Sequence, residues 1–127
     1  MIILVRNLKK AYKDGVGNVA EINLMLTSML RFINLDANPV LVSTRSNGVA
    51  LFPSRAAFNY VICSVKTSEG EVLLDATEKY SIPNILPLRD LNWFGRLIRK
   101  DGTSENVELM PKIYANERTM LNYTLDA

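Results

Sequence analysis

The residue types that most often carry acyl chemistry are scarce in this chain of 127 residues. Cys63 is its sole cysteine, and there is no histidine. Because histidine is the usual general base near neutral pH, serine/histidine and cysteine/histidine mechanisms are excluded. A single cysteine also excludes an internal disulfide, and a thiolate zinc centre would need further ligands that the chain lacks.

Tyr60 and Asp75 are a polar pair whose relative position the sequence predicts. Residues 58–65 and the short apolar run that ends at Asp75 both have strand character, and turn-forming residues lie between them. A hairpin centred on residues 68–69 sets Ile62 opposite Asp75 and Tyr60 on the diagonal. We expect the Tyr60 hydroxyl to bond to the Asp75 carboxylate. The alternative interpretation makes both side chains ligand contacts in a cleft.

Cys63 is expected to point away from that pair. Side chains alternate across a strand, so Tyr60 and Ile62 face one side while Val61, Cys63 and Val65 face the other. A free cysteine in an apolar strand is usually an inert core residue. The sequence therefore predicts that Cys63 does not act as a replacement nucleophile.

Apolar spacing predicts two helices followed by several strands. A short helix is expected within residues 1–13, and a longer one starts at Val19, with Asn18 as N-cap and Glu21 at capping-box spacing. Its expected apolar stripe is Val19, Ile22, Leu26, Met29 and Ile33, with Asn23, Thr27 and Arg31 elsewhere on the wheel. The predicted strands are residues 40–44, 58–65, 72–75 and 95–99. This order predicts an α+β fold with a helix packed on one face of an antiparallel sheet.

Three stretches of the chain resemble the transglutaminase-like family, whose core is shared with papain-like cysteine proteases. They are Gly17-Asn18-Val19-Ala20-Glu21, Phe58-Asn59-Tyr60-Val61-Ile62 and Leu74-Asp75-Ala76-Thr77. Val19 stands at the cysteine position of the family, Tyr60 stands at the histidine position, and Asp75 is retained. Later segments around residues 85–98 are similar to bacterial members in which β-rich domains flank this one. The resemblance spans roughly residues 15–99 and implies a degenerate triad.

The resemblance implies a catalytically inactive domain that binds a ligand or packs between other domains. Valine has no atom that can attack a carbonyl, and a phenol of pKa about 10 cannot replace imidazole near pH 7. No cofactor or metal is expected. The expected residual cleft comprises Asn18, Glu21, Asn59, Tyr60, Asp75 and Trp93. Two alternatives remain: an active acyl transferase or amide hydrolase using Asp75, Tyr60 or Ser28, and a metal site formed by Asp75, Glu21 and Glu78.

Domain organisation and partners follow from the same pattern. Residues 1–102 are predicted to form the transglutaminase-like domain, and residues 103–127 a C-terminal β extension that starts a following domain or linker. Strands are expected at 107–110 and 119–125, without an obvious partner. A net charge of +2 gives no strong field for nucleic acid, and no stretch is long enough for membrane insertion. Expected partners are flanking domains and a protein, peptide or glycan, in an exported or periplasmic bacterial protein by resemblance.

Overall fold

The computed structural model describes residues 7–52, 54 and 56–127, and the chain has an α+β fold within them. The helices are α1 (Leu8–Asp14) and α2 (Val19–Phe32). The strands are β1 (Ala37–Val42), β2 (Tyr60–Thr67), β3 (Gly70–Leu74), β4 (Phe94–Ile98) and β5 (Ser104–Glu108). Short 3-10 helices span Arg45–Asn47 and Leu88–Asp90. Both predicted helices are present, although residues 1–6 of the first lie outside the described residues.

The five strands form one antiparallel sheet in the order β3-β2-β1-β4-β5. The β2–β3 hairpin pairs Thr67 with Gly70 and Cys63 with Leu74, which confirms the turn at residues 68–69 and the predicted register. Leu73 and Leu109 lie at opposite edges of the sheet, yet they belong to the same buried cluster. The sheet is therefore curled, and it closes around a core on its inner face.

Each face of β2 contributes to a different buried cluster. Tyr60 and Ile62 join the inner cluster, whereas Cys63 and Val65 join a second cluster that is covered by Leu26 and Leu30 of α2. The predicted alternation along β2 is confirmed, and Cys63 is completely buried. The helix therefore packs on the opposite face of β2 from most of the core.

The buried face of α2 differs from the predicted apolar stripe. Met29 and Ile33 are largely exposed, whereas Asn23 and Thr27 are buried. The stripe was wrong at these positions because Asn23 faces the sheet to form hydrogen bonds with it, and Thr27 can be buried because its hydroxyl bonds within the helix. Thr27 Oγ1 donates to the Asn23 carbonyl at 2.8 Å, and Asn23 bonds to the sheet. None of the described helices is both long and apolar enough to cross a membrane.

The segment beyond residue 102 begins as part of the same sheet. β5 pairs with β4 along its full length, Gly95 opposite Val107, and Leu109 is buried in the inner cluster. The strand expected at 107–110 thus has a partner, which the sequence pattern did not suggest. The second expected strand, 119–125, was wrong, because residues 114–127 have no regular secondary structure and are exposed. The predicted domain boundary at residue 102 stays a prediction for the residues that follow β5.

Candidate functional site

Val19, which stands at the cysteine position of the resemblance, begins α2 beside the inner core. Asn18 caps the helix by accepting from the Glu21 amide at 2.9 Å, and Glu21 Oε2 accepts from the Asn18 amide at 2.9 Å. The predicted capping box is confirmed. Val19 is half-buried and packs against the cluster that contains Tyr60. A hydrocarbon side chain therefore occupies the helix start.

Tyr60 and Asp75 are hydrogen-bonded, as predicted. The Tyr60 hydroxyl donates to Asp75 Oδ2 at 2.9 Å, and it also lies 2.8 Å from Thr77 Oγ1. Burial raises the pKa of Tyr60 to about 12, although hydrogen bonds from Thr77 and Arg89 act against this increase. The phenol is therefore uncharged at neutral pH and acts as a hydrogen-bond donor to the carboxylate.

Asp75 is buried, and its charge is stabilised by several donors. Oδ1 accepts from Asn23 Nδ2 at 2.9 Å, from the Thr77 amide at 2.9 Å and from Thr77 Oγ1 at 2.7 Å. Burial by itself would raise the pKa of Asp75, but the hydrogen bonds from Asn23 and Thr77 outweigh it and lower the pKa below its ordinary value. Asp75 is therefore an ionised carboxylate whose acceptor sites are occupied by the protein itself.

Arg89 completes this group, and the sequence analysis did not assign it a role at the site. Its Nε and Nη2 donate to the Tyr60 hydroxyl at 3.2 and 2.9 Å, and Nη2 also donates to Thr77 Oγ1 at 3.0 Å. Nη2 lies 3.7 Å from Asp75 Oδ2, and Nη1 lies 2.5 Å from Glu78 Oε1. Partial burial opposes the charged form, but the bonds to Glu78 and Tyr60 raise the pKa of Arg89 above its ordinary value. The available signal in the sequence was its place within residues 85–98, which belong to the family resemblance.

Asp90 is the second residue that sequence reasoning missed. It is fully buried, and neither carboxyl oxygen has a hydrogen-bond partner among the described residues. Burial is the main reason that its pKa rises to about 8, and the negative charge of nearby Asp75 raises it further. A neutral acid beside an ionised one is the expected arrangement when two carboxyl groups share a buried location. Asp90 is thus mostly protonated at pH 7.

Asn59 and Trp93, two further residues of the expected cleft, do not take part in the hydrogen bonds around Asp75 that the structure describes. Asn59 Oδ1 accepts from the Thr44 amide at 2.9 Å, and Asn59 Nδ2 donates to Thr44 Oγ1 at 2.8 Å. Trp93 is 66% exposed and has a positive φ of 68°. In the described part of the chain, no side-chain hydrogen bond joins either residue to Asp75. The cleft that adjoins the group is instead lined by Glu78, Tyr80, Ser81 and residues 85–89, with a volume of about 420 Å³.

The geometry limits the chemistry of the site. Burial raises the pKa of the Cys63 thiol, and this residue lies in the cluster on the other face of β2. Across the ranges that the structure describes, no three His, Cys, Asp or Glu side chains lie close enough to hold a metal ion. Asp75, Glu21 and Glu78 therefore do not form the metal cluster considered as an alternative. Glu21 caps α2, and Glu78 pairs with Arg89.

Comparison with protein-family models, with curated proteins and with solved structures gave no significant match. A family assignment for this chain therefore depends on its own residues and their arrangement. The features that bear on this assignment are Val19 at the start of α2, the Tyr60–Asp75 hydrogen bond and the α+β fold that holds them.

Proposed function

We propose that this chain is a transglutaminase-like domain without catalytic activity, which serves a binding or structural role in a larger protein. The supporting observation is spatial. Val19 starts α2 and packs against the cluster that contains Tyr60, and the Tyr60 hydroxyl bonds to Asp75 at 2.9 Å. The three positions of the suspected triad thus belong to one neighbourhood, although they are far apart in sequence.

The loss of activity follows from the side chains themselves. Val19 has no nucleophilic atom, and Tyr60, with a pKa of about 12, does not accept a proton from a nucleophile near neutrality. Asp75, which would orient a histidine in an active member, instead accepts hydrogen bonds from Tyr60, Asn23 and Thr77. The polar side chains of Tyr60 and Asp75 are thus both engaged in hydrogen bonds within the protein.

The contacts that replace the triad join several elements of the fold. Asn23 on α2 bonds to Asp75 just after β3, Tyr60 starts β2, and Arg89 lies in the 3-10 helix before β4. Bonded buried polar groups of this kind favour one packing arrangement, because any other arrangement would leave them without partners. We infer that the group now holds α2 and the segment before β4 in place, next to an open cleft.

The proposal is tested by restoring the suspected triad. In a Cys63→Ala background, the Val19→Cys, Tyr60→His double variant is compared with a Val19→Cys, Tyr60→Phe control and with the unmodified domain. We expect the double variant alone to react rapidly with iodoacetamide at residue 19 near pH 6, because an adjacent imidazolium favours the thiolate. Labelling rates are measured by intact-mass spectrometry as a function of pH.

Two outcomes would contradict the proposal. Equal labelling rates in the double variant and the phenylalanine control would remove the argument for a triad ancestry. Turnover of a γ-glutamyl amide or a peptide amide by the unmodified domain would show a surviving acyl transferase or amide hydrolase with non-standard residues. Turnover is measured as ammonia or amine release, with the Asp75→Asn variant as control.

A further inference from the structure

The two edge strands of the curled sheet line one cavity. Leu73 of β3 and Leu109, just after β5, come from opposite edges of the sheet, yet both line a cavity of about 400 Å³. Among the described residues, β2 is the only strand that pairs with β3, and β4 is the only strand that pairs with β5. The sheet is thus an incomplete barrel, and we call the gap between β3 and β5 the seam.

The directions of the strands determine what can close the seam. Each neighbouring pair in the order β3-β2-β1-β4-β5 is antiparallel, so β3 and β5 run in the same direction. A single strand that runs in the opposite direction is antiparallel to both edges. Such a strand completes a six-stranded barrel, because closure with antiparallel pairs throughout requires an even number of strands.

β5 offers the backbone groups that an added strand needs. The Leu109 amide donates to the Trp93 carbonyl at 2.9 Å, so the odd-numbered residues along β5 bond toward β4. Alternation directs the backbone of the even-numbered residues, such as Asn106, toward the seam. On the other side, Asn84 already bonds to the seam edge of β3 at Leu73. An added strand therefore gains its hydrogen bonds mainly from β5.

Residues 119–125, Thr-Met-Leu-Asn-Tyr-Thr-Leu, have the pattern of a strand with one apolar face. Leu121, Tyr123 and Leu125 alternate with polar residues and are 71%, 84% and 95% exposed. A cluster of large exposed apolar side chains marks an interaction site. The segment carries no charge, so it adds no repulsion beside the glutamates that line the seam.

In a single copy, the seam and this segment remain apart. Residues 110–113 line the seam directly after β5, whereas residues 114–127 are exposed and form no strand. Each copy of the chain therefore presents one open seam and one exposed segment that matches it. Reciprocal exchange between two copies fills both seams, and exchange of an identical element is a low-cost route to a symmetric dimer.

We propose that residues 119–125 of one copy add as a sixth strand in the seam of a second copy, which gives a strand-exchanged dimer. In the register that places apolar side chains on the inner face, Tyr123 lies opposite Val107 of the other copy, and Leu121 lies opposite Leu109. Since Leu109 is buried in the inner cluster and Val107 packs against it, exchange buries Leu121 and Tyr123 there. This proposal does not depend on the proposed loss of catalytic activity.

The oligomeric state of the full chain is measured by sedimentation velocity at increasing concentration. A short interface gives weak association, so we expect monomers at about 5 µM and mostly dimers at about 500 µM. Asn106→Pro should keep the chain monomeric, because it removes an amide that faces the seam and leaves the bonds to β4 in place. Asn106→Ala is the matched control. It also loses the side-chain bond to Arg96, but it keeps the amide and should dimerise like the unmodified chain.

Far-UV circular dichroism shows whether both Asn106 variants are folded. Removal of residues 114–127 provides a second test that leaves the sheet unchanged, and it should abolish the dimer. Persistence of monomers at about 500 µM in the unmodified chain would overturn the proposal. Equal dimerisation of the unmodified and truncated chains, or of folded Asn106→Pro and Asn106→Ala variants, would also overturn it.

Disulfide trapping identifies the register. In a Cys63→Ala background, a Val107→Cys chain is mixed with a Tyr123→Cys chain and oxidised with glutathione disulfide. Opposite residues in a non-hydrogen-bonded pair have Cα atoms about 4.5 Å apart, which a disulfide can span. We expect at least fivefold more mixed dimer, by intact-mass spectrometry, than with a Thr124→Cys chain, whose side chain faces outward. Equal yields would overturn the proposal. So would a bond that forms only within one chain of the Val107→Cys, Tyr123→Cys double variant.

Discussion

Asn23 Nδ2 donates to Asp75 Oδ1 across 2.9 Å, and this bond joins the middle of α2 to the residue that follows β3. The same amide nitrogen donates to the Val61 carbonyl at 2.8 Å, and Asn23 Oδ1 accepts from the Ala76 amide at 2.8 Å. One buried side chain thus satisfies three polar groups, and two of these hydrogen bonds are fully buried. The position of α2 on the sheet depends on this asparagine as well as on apolar contact.

Replacing Asn23 by alanine should destabilise the domain by about 2–4 kcal/mol, because three partners lose their hydrogen bonds in a buried location. The free energy of unfolding is measured by urea denaturation followed by circular dichroism. Ser28→Ala on the exposed side of the same helix is the matched control, and it should change the stability by about 0.5 kcal/mol or less. Similar effects of the two substitutions would contradict the role assigned to Asn23.

Tyr60→Phe removes a single oxygen atom but affects Asp75 and Arg89 together. We expect a loss of about 1–3 kcal/mol, since a buried carboxylate loses one donor and the guanidinium loses one of its acceptors. Tyr123→Phe, at a residue that is 84% exposed, serves as the control and should be neutral. Chemical denaturation at pH 7 compares the two variants with the unmodified chain, and a stabilised Tyr60→Phe variant would refute the argument.

Asp90 should make the stability of the domain depend on pH near neutrality. Its folded-state pKa of about 8 lies above the unfolded value of about 4, so the folded state binds the proton more tightly. The stabilisation that Asp90 contributes to the folded state is complete below about pH 4 and is lost as the pH rises through 8. Between these two pH values the free energy of unfolding falls by about 1.4 kcal/mol per pH unit. The contribution of Asp75 to stability has the opposite pH dependence. Because its folded-state pKa is lowered, Asp75 stabilises the folded state at pH values above its unfolded-state pKa.

Asp90→Asn keeps the neutral shape and removes the titration, so the stability of this variant should vary much less between pH 6 and pH 8. The free energy of unfolding is measured at half-unit steps across this range. Asp126→Asn, at an exposed position, is the control and should follow the unmodified chain. A slope that Asp90→Asn leaves unchanged would show that another group is responsible.

Two truncations test how much of the C-terminal segment belongs to the domain. Removal of residues 114–127, which are exposed and lack regular structure, should change the stability by no more than about 0.5 kcal/mol. Removal of residues 103–127 deletes β5 and the buried side chain of Leu109, and it should cost more than about 3 kcal/mol. If both truncations have the same small effect, the division predicted at residue 102 is supported instead.

Local patterns predicted those features that depend on neighbours in sequence. The capping box at Asn18 and Glu21 needs only three residues of spacing, and the β2–β3 hairpin needs only a short turn. The Tyr60–Asp75 bond could be predicted because the hairpin register relates the two positions. Inward-facing Asn23 was missed, since periodicity assigns a helix face by hydropathy and does not identify a hydrogen-bond partner 52 residues away.

The amino-acid sequence by itself determined which chemistry the protein lacks, because no arrangement of the chain can supply an imidazole or a second thiol. It also determined that Tyr60 and Cys63 face opposite sides of β2, since side chains alternate along any strand. Only the tertiary structure decided that Arg89 and Asp90 meet Asp75, and that one of the two acids stays protonated. Charge interactions and the loss of solvent depend on distances between segments that the linear order does not specify.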